Sequence, residues 1–166
     1  NNAHHYVSSA SGNFGNHASG ETWTLSVFAK TAGYDYIKFF TSSSQASALF
    51  NIANGTFVGG AGAKFISGAI TNVGNGWYRC SITPNETATS TQLWFNVSDG
   101  GTPNTQNFFS PPWWVPDGTK SMLMWGAMIS DGANVKKYRK TVASSSAVIE
   151  RGELSKDFYD ATHVGF

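Results

Sequence analysis

Residues 99–118 hold the side chains in this sequence best suited to recognition chemistry. Four of them are large aromatic residues, namely Phe108, Phe109, Trp113 and Trp114. Aromatic rings stack on the apolar faces of sugar rings, and neighbouring polar groups can hydrogen-bond the sugar hydroxyls. The polar neighbours are Asn104, Gln106 and Asp117. We therefore predict that these seven residues form a carbohydrate-binding site, in a loop stiffened by prolines.

A second interpretation of the same loop carries at least equal weight. Trp113 and Trp114 could cover an open sheet edge or insert into a neighbouring subunit, where aromatic residues are also enriched. In that case the loop serves assembly.

Catalytic chemistry has little support in the sequence. Recognised motifs for nucleophilic, phosphate-binding or zinc-dependent catalysis are absent. Several carboxylates fall at predicted turns, where Asp commonly caps the backbone, and these are Asp35, Glu86, Asp99, Asp117 and Asp131. We predict no catalytic residues and no enzymatic activity, with a glycosidase or polysaccharide lyase as the third-ranked function.

Metal and cofactor chemistry is similarly limited. Asp99, Asp117 and Asp131 flank the aromatic loop and the last predicted strand, so Ca²⁺ is a candidate ligand there. The spacing matches no known calcium loop, and we predict neither a metal site nor a cofactor. Cys80 is the one cysteine, which excludes intrachain disulfides and thiolate clusters.

The scaffold that positions these groups is predicted to be all-β. Thr22 to Lys30 alternates apolar and polar residues, which predicts a half-buried strand with Thr24 and Ser26 facing outward. Similar patterns give about eight strands in total, the others over residues 4–9, 34–41, 48–53, 64–73, 76–83, 91–98 and 120–130. Turn signals that favour positive φ separate them, at residues 32–33, 54–55, 72–76 and 99–101.

Composition agrees with this fold class. Charged residues are 13% of the 166 residues, aromatic residues are 14%, and the net charge is +1. This implies no polybasic or polyacidic partner and disfavours a helical bundle. No apolar run approaches the roughly 20 residues of a membrane helix, and we expect no membrane span. The sequence begins with neither Met nor a signal pattern, so we expect a processed chain or a piece of a longer protein.

The chain divides into a predicted β-sandwich domain, residues 1–130, and a C-terminal arm or assembly segment, residues 131–166. The arm contains a basic cluster, Lys136, Lys137, Arg139 and Lys140, for which a solvated segment is the favoured interpretation. An anionic polymer is a minor alternative, and nucleic acid is not an expected partner. Core packing is the expected role of the strand tryptophans Trp23, Trp77, Trp94 and Trp125.

Four segments carry a family resemblance. Residues 22–30 (TWTLSVFAK), 32–37 (AGYDYI), 69–81 (AITNVGNGWYRCS) and 124–129 (MWGAMI) resemble, in the same order, the concanavalin A-like or carbohydrate-binding-module-like jelly-roll domain of bacteriophage virion proteins. The resemblance implies an antiparallel jelly-roll-like β-sandwich on a tail fibre, tail spike or head decoration, serving adhesion or assembly. Family members begin with one or two further strands, and the matching motifs carry no sugar-binding residue over to this chain.

We accordingly expect a virion module, most simply a tail-fibre receptor-binding domain that contacts host surface polysaccharide. The alternative is a structural protein, either a capsid decoration (cement) subunit or a fibre assembly domain, whose aromatic loop and C-terminal arm contact other virion subunits. Either role is compatible with a homo-oligomer, of which a trimer is one candidate.

Overall fold

The computed structural model describes residues 6–8, 22–41, 46–85, 93–98 and 118–139. Within these ranges the chain forms nine β-strands and no helix. The strands are β1 (Tyr6–Ser8), β2 (Trp23–Ala32), β3 (Tyr36–Thr41), β4 (Ser47–Asn51), β5 (Thr56–Ala61), β6 (Phe65–Gly74), β7 (Trp77–Pro84), β8 (Leu93–Ser98) and β9 (Ser121–Asp131). The part of the chain described here therefore holds no helix long and apolar enough to cross a membrane.

The strands form two antiparallel sheets. The first sheet has the order β1-β8-β3-β4-β5, and the second sheet has the order β6-β7-β2-β9. Their facing sides enclose one apolar core, which is the arrangement of a β-sandwich. The predicted all-β sandwich is confirmed, whereas the jelly-roll connectivity within it stays a prediction.

The core takes alternate residues from both sheets. Leu25 and Val27 on β2 are buried, as the alternation predicts, and they meet aromatic rings of the first sheet. Phe39 on β3 packs 5.0 Å from Phe50 on β4 and 4.8 Å from Phe95 on β8, measured between ring centroids. Burial of each such side chain contributes about 1.5–3 kcal/mol, and these three rings form part of the side of the core that the first sheet supplies.

One strand was not predicted. Residues 56–61 form β5, which pairs with β4, although Gly59 and Gly60 favour a turn on local propensity. The glycines are explained by packing, because a Cβ at Gly60 would overlap the ring of Phe65. Tertiary contact thus overrides a weak strand propensity at this position.

The turn between β6 and β7 fixes one end of the second sheet. Asn75 and Gly76 adopt φ angles of 52° and 75°, which are the positive values that the sequence predicts for a tight hairpin. Positive φ is also found at Gly33 and Gly55. The fourth predicted turn, residues 99–101, lies outside the described residues.

Candidate functional site

The loop residues predicted to bind carbohydrate lie outside the described residues. They are Asn104, Gln106, Phe108, Phe109, Trp113, Trp114 and Asp117. The same holds for Asp99, one of the three residues considered for Ca²⁺, and for Lys140 of the basic cluster. Their roles stay predictions, and the described residues place a different aromatic surface on the second sheet.

This surface begins with the segment that follows β9, residues 132–139, which we call the strap. At its start, Gly132 donates its backbone N–H to the carbonyl of Thr22 over 2.8 Å. The hydroxyl of Thr24 donates to the Gly132 carbonyl over 2.8 Å, and that of Ser130 reaches the Asn134 carbonyl over 3.4 Å. The strap therefore folds back onto the outer face of the second sheet.

The strap explains why polar side chains on that outer face are buried. Thr24 is 1% exposed and Thr83 is 3% exposed, although both lie on the face opposite the core. Their hydroxyls are 2.9 Å apart, and the Thr83 hydroxyl is 3.4 Å from the Ala133 carbonyl. Because buried hydroxyls need such partners, the prediction that Thr24 and Ser26 face solvent is wrong: β2 is covered on both sides.

Tyr138 holds the far end of the strap against two aromatic rings. Its ring makes edge contacts with Phe28 at 5.8 Å and with Trp125 at 5.1 Å. Phe28 and Trp125 are themselves stacked at 4.3 Å. Trp77 completes the group with an edge contact to Trp125 at 6.4 Å. We call Phe28, Trp77, Trp125 and Tyr138 the aromatic platform.

The platform is open to solvent at Trp125. Its side chain is 47% exposed, as is that of Leu123 on the same strand and the same face, whereas Phe28 beneath is buried. The expected core role is confirmed for Trp23, which belongs to the core cluster. It is wrong for Trp125. Trp77 and Trp94 also lie on outer faces instead of in the core between the sheets, and both are half-buried there.

Two cations adjoin the platform from the sheet. The Arg79 guanidinium carbon lies 5.2 Å from the Phe28 ring centroid, within the range of a cation–π contact. Its Nε and one terminal nitrogen donate to the Ser26 hydroxyl over 3.3 and 3.0 Å. Desolvation by burial lowers the pKa of Arg79, but guanidinium stays protonated in proteins. The ammonium of Lys30 donates to the Asn75 carbonyl over 2.8 Å.

The outer face of the first sheet is different. Phe40 and Leu49 lie on that face and are 2% and 4% exposed, and Phe40 packs 5.2 Å from Trp94. Desolvation lowers the pKa of Lys38 on the same face. Exposed aromatic surface among the described residues is therefore found on the second sheet.

Among the described residues, metal-binding side chains do not gather near the platform. In the described ranges, no three His, Cys, Asp or Glu side chains lie close enough together to hold a metal ion. Asp131 is exposed at the end of β9. Cys80 is a buried free cysteine, and burial raises the pKa of its thiol, which suppresses the reactive thiolate.

The strap and the platform were missed by the sequence reasoning. The strap follows a β-bulge in β9, where the register with β2 shifts between Ser26 and Phe28, and a bulge reverses the face on which later residues lie. Gly126 was the available signal, because glycine inside a strand often marks a bulge. A comparison of the sequence with protein-family models and with curated proteins found no match to either.

Proposed function

We propose that this chain is a non-enzymatic recognition module of a bacteriophage virion that binds carbohydrate on the host surface. The observation that carries the proposal is the aromatic platform, with Trp125 half-exposed on the outer face of a sheet. Contiguous exposed apolar surface commonly marks interaction sites. An indole presented in this way suits stacking on a sugar ring.

The rigidity of the platform supports a binding role. Phe28 supports one side of Trp125, and the rings of Trp77 and Tyr138 contact it edge-on. A side chain held by three neighbours loses little conformational entropy when a ligand binds. Sites built on strands are also more precise than sites on loops. The platform is thus arranged to meet a flat, weakly polar face such as that of a pyranose.

The aromatic loop remains part of this proposal. Trp113 and Trp114 supply further stacking groups in the same chain, and Phe108, Phe109, Asn104, Gln106 and Asp117 accompany them. Extended polysaccharides contact more than one aromatic group, so two aromatic regions are compatible with one long ligand. We propose that the jelly-roll family resemblance reflects a common scaffold for such recognition.

An assembly function is the second candidate, supported by a separate feature of β9. Among the described strands, β9 pairs only with β2, so no described strand pairs with its other edge. Leu123 and Trp125 are both 47% exposed along this strand. Open edges with apolar side chains are suited to contacts with other chains, here a neighbouring virion subunit.

The test compares Trp125→Ala with Leu123→Ala, because the two side chains are equally exposed on one strand and one face. We expect Trp125→Ala to weaken binding to host surface polysaccharide about tenfold or more, the size of an interface hot spot. Leu123→Ala should change it by less than about threefold. Trp125→Phe retains a stacking ring and should bind with intermediate affinity. Far-UV circular dichroism and cooperative unfolding verify that each variant is folded.

Other outcomes separate the two functions. If both alanine variants lower oligomer formation or occupancy on the particle and neither alters polysaccharide binding, assembly replaces recognition. Trp113→Ala combined with Trp114→Ala tests the loop in the same two assays. Unchanged binding and unchanged adsorption of particles carrying both Trp125→Ala and the loop double variant would refute carbohydrate recognition by either region.

A further inference from the structure

Two cationic side chains of the second sheet adjoin the aromatic platform, and a third cationic residue lies in the strap next to Tyr138. Arg79 contacts Phe28 directly, and Lys30 lies on β2 two residues beyond Phe28 on the same face. Lys137 precedes Tyr138 in the strap and is exposed. The platform therefore combines an apolar stacking surface with positive charge.

From this combination we infer that the ligand of the platform is an acidic polysaccharide, one whose sugar units carry carboxylate groups. The inference rests on the proposed carbohydrate-binding function and adds the chemical class of the sugar. In such a ligand, one sugar ring stacks on Trp125 while carboxylates of neighbouring sugar units meet Arg79, Lys30 or Lys137.

Arg79 is suited to bind a carboxylate. A guanidinium has five N–H donors in a planar fork, and the described contacts of Arg79 direct two nitrogens to the Ser26 hydroxyl. These contacts and the Phe28 ring fix the plane of the Arg79 guanidinium. Its remaining N–H donors point away from Ser26. Pre-oriented guanidinium groups recognise carboxylates with two parallel hydrogen bonds.

Lys30 adds a second fixed charge at the end of the platform. Its ammonium is held by the Asn75 carbonyl in the β6–β7 turn, which uses one of three N–H donors. Its Cα partner on β9 is Leu123, and the next residue pair along the same face is Phe28 and Trp125. Arg79 on β7 and Trp125 on β9 lie on opposite sides of Phe28, so the carboxylate that meets Arg79 belongs to a sugar unit next to the one stacked at Trp125.

Carboxylates of the protein do not neutralise this face within the described ranges. The acidic side chains there are Asp35 and Asp131. Asp35 lies in the β2–β3 connection, where its carbonyl accepts a hydrogen bond from Ile52. Asp131 is the Cα partner of Trp23, whose side chain is in the core, so it lies on the opposite side of the sheet. The charge that the described residues place on the platform side is positive.

Nucleic acid is the other anionic polymer that stacks on aromatic groups, and the charge distribution disfavours it. Nucleic-acid-binding domains commonly have a pI above about 9, whereas the whole chain has a pI of about 8.0 and a net charge of +1. A few cations around one stacking surface fit widely spaced carboxylates better than a continuous row of phosphates.

The experiment measures binding of the full chain to polygalacturonate, to fully methyl-esterified polygalacturonate and to a glycan array of acidic and neutral oligosaccharides. We expect array binding concentrated on glycans with uronate or sialate groups, and weaker binding to the methyl ester than to the acid. Raising NaCl from about 0.1 M to about 1 M shortens the Debye length from about 10 Å to about 3 Å, and should weaken that binding.

Two variants assign the effect to this surface. Lys137→Gln removes an exposed charge in the strap and should weaken acidic-glycan binding about threefold, the range of one exposed ion pair. Lys64→Gln removes a charge at the β5–β6 turn, away from the platform, and should leave binding unchanged. Equal effects of the two variants would show that general charge, and not this site, attracts the ligand.

The remaining outcomes are distinguishable. Binding confined to neutral glycans overturns the acidic class and leaves carbohydrate recognition in place. Binding to no glycan overturns both the acidic class of the ligand and the proposed carbohydrate recognition. Tighter binding to single-stranded oligothymidylate than to every acidic glycan overturns the inference in favour of nucleic acid.

Discussion

The rings of Phe28 and Trp125 stack with centroids 4.3 Å apart and planes 10° from parallel. The two residues are Cα partners on β2 and β9, and they meet on the outer face because of a bulge. Gly126 and Ala127 together oppose Val27, since Ser26 pairs with Met128 and Phe28 pairs with Trp125. An unbroken β9 would place Trp125 on the core side, so the bulge produces the platform.

Tyr138 should contribute to stability through the rings it joins. Tyr138→Ala removes edge contacts with Phe28 and Trp125, and each aromatic pair is worth about 0.5–1.5 kcal/mol beyond its buried area. We expect the free energy of unfolding to fall by about 2 kcal/mol in urea titrations. Tyr138→Phe retains the ring and should lose less than half as much. Equal losses in the two variants would place the stabilising interaction at the hydroxyl instead.

The hydroxyl row beneath the strap gives a second prediction. Thr24→Val leaves the Gly132 carbonyl without its hydroxyl donor and removes one of the two partners of the Thr83 hydroxyl, which costs about 1–3 kcal/mol. Thr71→Val makes the same change at an exposed position of β6 and should alter stability by less than about 0.5 kcal/mol. Chemical denaturation of both variants measures the difference. A Thr24→Val variant as stable as Thr71→Val would show that the strap contributes no hydrogen-bond energy at Thr24.

Local alternation predicted most strands but could not predict the strap. The core residues of β2 follow from a period of two, since Trp23, Leu25, Val27 and Ala29 are all buried. The burial of Thr24 on the other face depends on Gly132, which is 108 positions away. The local sequence pattern does not encode a contact between residues so far apart in the chain. For this reason the pattern predicts that the face of β2 with Thr24 is in contact with solvent.

The aromatic residues show the same limit in another way. Trp23 and Trp125 both lie in alternating strands, yet one is in the core and the other is half-exposed. Ile129 packs against the core, and counting every second residue from it back along β9 places Trp125 on the core side. Counting from Met124, which also packs against the core, places it outside. Only the bulge between them reconciles the two counts, and glycine alone does not specify which way a strand shifts.

Cys80 predicts a pH dependence of stability. Burial raises the pKa of its thiol above the ordinary value of 9.0, so the folded protein keeps the proton when the unfolded chain has released it. The unfolded state therefore binds fewer protons above about pH 9, and stability falls there by up to about 1.4 kcal/mol per pH unit from this group. Below pH 9 the Cys80 thiol is protonated in both the folded and the unfolded state, so its contribution to stability is fully present.

The measurement is urea unfolding between about pH 8 and pH 11. Cys80→Ala is less stable throughout because it leaves a cavity, but its decline with pH should be shallower than that of the wild type. In the native protein the thiol should react with iodoacetamide only at the rate of unfolding. Parallel pH profiles for the two proteins would contradict the assignment to Cys80.

Gly126 allows the bulge itself to be tested. Its φ is +64°, and a Cβ there would lie 2.9 Å from Cδ2 of Phe28 and 3.1 Å from Cε2 of Tyr138. Gly118 has a similar φ of +70° with nothing within 4 Å of the added carbon. Gly118→Ala should therefore lower the free energy of unfolding by the backbone cost alone, about 1–2 kcal/mol. Gly126→Ala has the same backbone cost and also displaces two rings of the platform, so its free energy of unfolding should fall by about 1–3 kcal/mol more.

The difference in unfolding free energy between the two variants measures the contribution of the close packing. A red shift of tryptophan emission should accompany Gly126→Ala alone, because Trp125 loses its support. Equal stabilities and unchanged emission would mean that Phe28 and Tyr138 move aside without cost, and the platform would then lack the rigidity that makes it suited to stack on a sugar.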